Sequence, residues 1–164
     1  MLNRTLLICC SLLAFASALS RAQAQASLPA PLASAPVVQV YDAELAKSLG
    51  ANANGMRSYV LVILKTGPKT MPEGQARTDM FKGHFANIGR LADEKKLVVA
   101  GPLDGVDGRR GIFVFATPDI EEAKRYVEAD PVISNAEMVA EYHKFFSSAA
   151  FMMINDVHKK IEKK

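Results

Sequence analysis

The chain has 164 residues, 49% of them hydrophobic and 23% charged, with a formal net charge of +3. Arg4 and Arg21 lie in an N-terminal segment that reads as a cleaved leader; without these two of its 20 basic residues, 18 stand against 17 acidic ones. That near balance argues against a nucleic-acid binder, which normally shows a basic patch or stripe.

The leader comes first. Arg4 gives a short positive region, and Leu6 to Leu19 is almost wholly apolar. Small residues then alternate over Arg21-Ala-Gln-Ala-Gln-Ala26, with Ala22-Gln-Ala24 as a cleavage site. This three-part order predicts a secretory signal peptide over residues 1–24 and a periplasmic or secreted protein. The apolar run is too short for a spanning helix, which needs about 20 residues, so no stable membrane anchor is expected after cleavage. Cleavage removes Cys9 and Cys10, the only cysteines. The mature chain therefore folds without disulfides and has no thiolate for catalysis or zinc binding.

Residues 25–57 read as a linker, rich in Pro and Ala at first, with a short helix at 42–49 ended by Gly50. Tyr59 to Leu64 (YVLVIL) predicts a strand covered on both faces. Gly67-Pro68 stops it. A helix follows from about Ala76 to Lys96, its stripe formed by Phe81, His84, Phe85, Ile88, Leu91 and Ala92. Leu97 to Ala100 is a second strand, stopped by Gly101-Pro102. Asp104-Gly105 and Asp107-Gly108 are turn dipeptides that predict a hairpin into a third strand, Gly111 to Ala116, apolar on both faces. Thr117 is expected to cap a second helix with Pro118 at its first position, and Asp130-Pro131 to end it. Met138 to Phe146 reads as a mixed-polarity strand, and residues 147–164 as a C-terminal helix.

The order βαββαβ predicts an α+β, ferredoxin-like fold over residues 58–146, with an additional C-terminal helix. Strands one and three are central in that topology, and here they are the fully apolar ones. The helices cover one sheet face only. The other needs a cover, which is either a second subunit in a homodimer or the C-terminal helix.

Three histidines remain in the mature chain: His84, His143 and His158. His84 sits mid-helix on the apolar stripe. It is either a core histidine or a general acid/base, because imidazole as a class titrates near neutral pH. Asp130 either ends a helix by bonding local backbone or orients His84. Gly101 and Pro102 stop a strand, or bring backbone close to a ligand. Arg77, on the same helix as His84, binds an anionic group of a ligand or pairs with a surface carboxylate. Glu141 and His143 share a face of the fourth strand and either enter the pocket of His84 or form an edge-strand surface pair. No i,i+4 histidine pair exists, so no metal site is expected, and the chemistry considered calls for no cofactor. P-loop, Rossmann, G-x-S-x-G and H-E-x-x-H motifs are absent.

Tyr59-Val-Leu-Val, one histidine in the first helix, Gly101-Pro102 after strand two and Ala129-Asp-Pro131 after helix two together resemble the YCII-related (YciI-like) domain. The resemblance implies the dimeric α+β barrel type of ferredoxin-like fold, paired sheet to sheet. It also implies a His-Asp pair in a cleft, which falls on His84 and Asp130, with Gly101 and Pro102 as pocket wall. The expected function is acid/base chemistry, an elimination or isomerisation, on a small organic molecule. The opposing expectation is a non-catalytic small-molecule binding or assembly module. The leader, the Gly67-Pro68 loop and the C-terminal helix depart from the family's short form.

Overall fold

The computed structural model describes residues 40–163. The leader and the first part of the linker lie outside them. Asp42 caps a short helix, α1 (Ala43–Ser48), by accepting a hydrogen bond from the Leu45 amide. Four antiparallel strands follow: β1 (Met56–Thr66), β2 (Leu97–Pro102), β3 (Arg109–Phe115) and β4 (Met138–Ser148). Their order across the sheet is β2-β3-β1-β4, so the two apolar runs are central, as a ferredoxin-like fold requires.

The longest helix, α2 (Gln75–Asp93), links β1 to β2, and α3 (Ile120–Glu128) follows β3. Both pack on one sheet face. There Val60, Val62 and Leu64 of β1 join Phe113 and Phe115 of β3, Met80 and Leu91 of α2, and Val127 of α3. These side chains are almost completely removed from water. Each contributes on the order of 1.5–3 kcal/mol by burial.

Besides shifts of a few residues at the ends of β1, α2 and β3, three features differ from the sequence reading. The cap of α3 is Asp119, whose carboxylate accepts from the Glu121 amide. Thr117 instead accepts from the Asp119 amide and donates to Glu122. Second, Asp130-Pro131 opens a further short helix, α4 (Pro131–Ser134), with Asp130 as its cap and proline at its first turn. Third, β4 runs on to Ser148, so the last helix, α5 (Ile154–Ile161), starts later than expected, after a turn of 3-10 helix at Ala149–Met153.

That turn matters for the second sheet face. Phe151 and Met152 pack on Tyr59, Val98 and Val114, and the Tyr59 hydroxyl donates to the Ser148 carbonyl at 2.8 Å. Asn155 bonds the Leu97 carbonyl at 2.8 Å. The C-terminal segment thus covers one end of the face. It does so through its 3-10 turn, whereas Val157 and Ile161 of α5 stay exposed.

Candidate functional site

The site forms where α2 meets α4. Gly83 makes this approach possible. A Cβ at that position would lie 2.9 Å from Cγ of Pro131, too close for undisturbed packing. His84, the next residue, therefore reaches Asp130, the residue before Pro131. Nδ1 of His84 lies 2.9 Å from both carboxylate oxygens of Asp130. Asp130 has no solvent exposure, and His84 retains 7%. Gly83→Ala should separate the helices, lengthen this contact and cost about 1–3 kcal/mol, the usual range for overpacking. Thermal unfolding and the His84 ring chemical shifts would report both effects.

Two further donors converge on Asp130. Nδ2 of Asn87 donates to Oδ2 at 3.0 Å, and the Val132 amide donates to Oδ1 at 3.1 Å. Arg90 donates to Oδ1 of Asn87 at 2.8 Å, which sets the amide so that its nitrogen faces Asp130. An acidic group so surrounded by donors serves as an acceptor, so Nδ1 of His84 carries the hydrogen. In the neutral ring Nε2 is then the lone-pair nitrogen. It makes no hydrogen bond among the described residues, and it is not sealed from solvent.

The His84 ring opens on a cavity of about 410 Å³. Its wall is mostly apolar: Leu64, Phe81, Phe85, Ile88, Phe113 and Met138. Gly101 and Pro102 also line it, as does Arg110. The volume falls within the range of small-molecule sites, roughly 300–1,000 Å³. Phe85, at 65% exposure, belongs to its open side rather than to the core. Among the described residues no three His, Cys, Asp or Glu side chains cluster as a metal ion would require.

The other expected site residues lie elsewhere. Glu141 and His143 do not share the pocket of His84. They alternate with Ala140 and Tyr142, which pack on the helix-side core, and so project from the opposite face of the sheet. There His143 Nε2 and Glu141 Oε1 pair at 2.7 Å, with both side chains exposed. Arg77 lies outside the His84 cavity, in a neighbouring cleft with Glu73, Thr78 and Phe81. Its guanidinium lies over the Phe81 ring and donates to Oε1 of Glu137 at 2.9 Å. That carboxylate is buried, at 3% exposure, and Arg77 also pairs at 3.3 Å with the exposed carboxylate of Glu73, the kind of surface partner expected.

Glu137 was not apparent from the sequence. Its Oε2 accepts from the Met71 amide at 2.7 Å, and this bond, with the Arg77 partnership, holds its carboxyl below the usual carboxylate range against the opposing effect of burial. A carboxyl held low in the fold adds stability above its unfolded pKa, near 4.3, and that stability is lost as pH falls through the lower folded value. Glu137→Gln should therefore flatten the acid limb of the stability curve below about pH 4.3 while lowering stability at neutral pH, as unfolding titrations across pH would show.

Comparison with known proteins bears on the whole domain. The family model described as the YCII-related domain matches residues 58–144, more than half of the chain. No curated protein matches. Among solved structures, the chain is similar to the 5-chloro-2-hydroxyhydroquinone dehydrochlorinase (TftG) of Burkholderia phenoliruptrix AC1100, in complex with 2,5-dihydroxybenzoquinone. That match has 21% identity and a TM-score of 0.37, and covers 54% of this chain and 90% of the other.

Proposed function

We propose, for a chain that belongs to the YCII-related domain family, that His84 moves a proton on a small organic molecule bound in the apolar cavity. One observation carries this reading: Nδ1 of His84 is committed to a buried carboxylate while Nε2 is unpartnered beside the cavity. Nε2 takes a proton from a carbon of the substrate. The C–H electron pair then either expels a leaving group from the adjacent carbon, an elimination, or shifts along the substrate until His84 returns the proton elsewhere, an isomerisation. Asp130 stabilises the imidazolium that forms and keeps the ring in one orientation. Neither path changes the redox level of the protein or calls on a cofactor.

The tautomer tests this reading. Ring 15N NMR at neutral pH should show hydrogen on Nδ1 and a lone pair on Nε2. Hydrogen on Nε2 would remove the base. A thermal-shift screen of small molecules against wild type and a His84 variant then finds ligands, since a ligand bound to the folded state stabilises by mass action. Ligands that stabilise both proteins and are never converted would favour the binding-module reading.

The proposal extends to location and assembly. Residues 1–24 act as a cleaved signal peptide that exports the domain. Protein recovered from outside the cytoplasm should begin between Ala22 and Ala26, and retention of Met1 would reject this. The part of the second sheet face left by the C-terminal segment carries half-buried Leu61, Ile63 and Ile112 and exposed Val139. A second copy stacking there forms a homodimer; a stable monomer by sedimentation would exclude it.

A further inference from the structure

A positive charge lines the same cavity, and proton transfer by His84 gives it no task. Strand alternation would place Arg110 with Ile112, on the face away from the helices. The pairing of β1 with β3 breaks there: Leu64 opposes Gly111, and Lys65 opposes Arg109. Arg110 is thus the extra residue of a bulge, a feature that re-aims a side chain. It lines the cavity together with Gly111 and Phe113.

Arg110 is half-buried, and among the described residues its side chain has no ion pair and no hydrogen bond. Its charge is felt by Glu137, but both carboxylate oxygens there are taken, one by Arg77 and the other by the Met71 amide. Arg77 bridges Glu137 and the exposed Glu73, whereas no carboxylate among the described residues pairs with Arg110. Around it the wall is apolar. A guanidinium fork binds a carboxylate through two parallel bonds, and such bonds strengthen where water is scarce.

We infer that Arg110 binds the carboxylate of a small, otherwise apolar organic acid whose body lies against Phe81, Phe85 and Phe113, within the cavity that His84 also lines. This identifies a substrate class for the proton transfer proposed above, and rests on that reading.

Benzoate and its neutral counterpart benzamide serve as probes of the full chain, with affinities measured by calorimetry. Arg110→Gln should weaken benzoate by at least about tenfold, the loss of a charge-assisted pair, and leave benzamide unchanged. Arg110→Lys keeps the charge without the fork and should fall between. Equal benzoate affinity in wild type and Arg110→Gln would overturn the inference. So would equal losses for both probes, which would make the arginine a structural part of the wall. Absence of benzoate binding to wild type at concentrations on the order of 10 mM would overturn it too. A parallel His84→Asn measurement separates the two proposals. If that variant turns over substrate normally while Arg110→Gln loses benzoate, the base falls and the anion site stands. If the base stands and benzoate is indifferent to Arg110, the reverse holds.

Discussion

Replacing His84 with asparagine should lower kcat/KM for a substrate of this site by about 10² to 10⁴, the usual contribution of a positioned acid/base. Asparagine suits the test because its amide nitrogen falls near the place of Nδ1. It can still donate to Asp130, which has no solvent exposure, while the atom corresponding to Nε2 is gone. The fold should therefore persist, as circular dichroism and the melting temperature would show. Normal turnover in a folded His84→Asn protein would end the proposal of a catalytic histidine. Loss of folding would instead mark the residue as structural. Alanine is the poorer choice, because the ring contacts Phe81, Phe85 and Phe113 and its removal opens a hole among them.

Asp130→Ala should produce the largest loss of stability, about 3–5 kcal/mol, because its partners are left unmatched in a buried place. Three losses combine. Helix α4 loses its cap, worth about 1 kcal/mol. The donors of His84 and Asn87 lose their acceptor in a buried place, at roughly 1–3 kcal/mol each. The fall in Tm should be on the order of 10–20 °C. Asp130→Asn keeps the shape and a capping oxygen, so it should cost less stability. It also brings an amide donor against donors and frees the ring to change tautomer, so it should cost activity on the scale of the histidine variant. Melting curves and rates of the two variants, taken together, separate the structural and chemical roles of one carboxylate. Equal stability of Asp130→Ala and wild type would show that the network does not hold α4 to α2.

The parts of this fold that were legible in the sequence share a cause. β1 and β3 are apolar at alternate and intervening positions alike, so only central places in the sheet suit them. The hairpin between β2 and β3 follows from glycines that take positive φ, Gly105 at 87° and Gly108 at 73°. His84 stood out because it interrupts an apolar stripe. The rest of its network did not. Asn87 is buried on the same helix, but an amide carries no hydrophobic signal, and its task depends on a carboxylate far along the chain. Glu137 looks like any loop acid until Arg77 and the Met71 amide close on it. Strand β4 was legible in part. Its alternation places Glu141 and His143 together, and the more apolar set of Met138, Ala140 and Tyr142 was available to choose which face turns inward. The bulge at Arg110 leaves no local mark, since it arises from the register between two strands.

His84 and Asp130 are separated by 46 positions, and that spacing bears on how the protein acquires its site. Helix α2 has enough length to form transiently by itself, but the pair closes a long loop whose entropic cost precedes any reward. Between the two residues lie β2, β3 and α3. Pairing of the hairpin and docking of α3 shorten that loop and bring α4 toward Gly83. A chain that is partly folded therefore presents the histidine without its carboxylate. The paired ring signal of His84 should for that reason report completed topology, as following it through refolding would show.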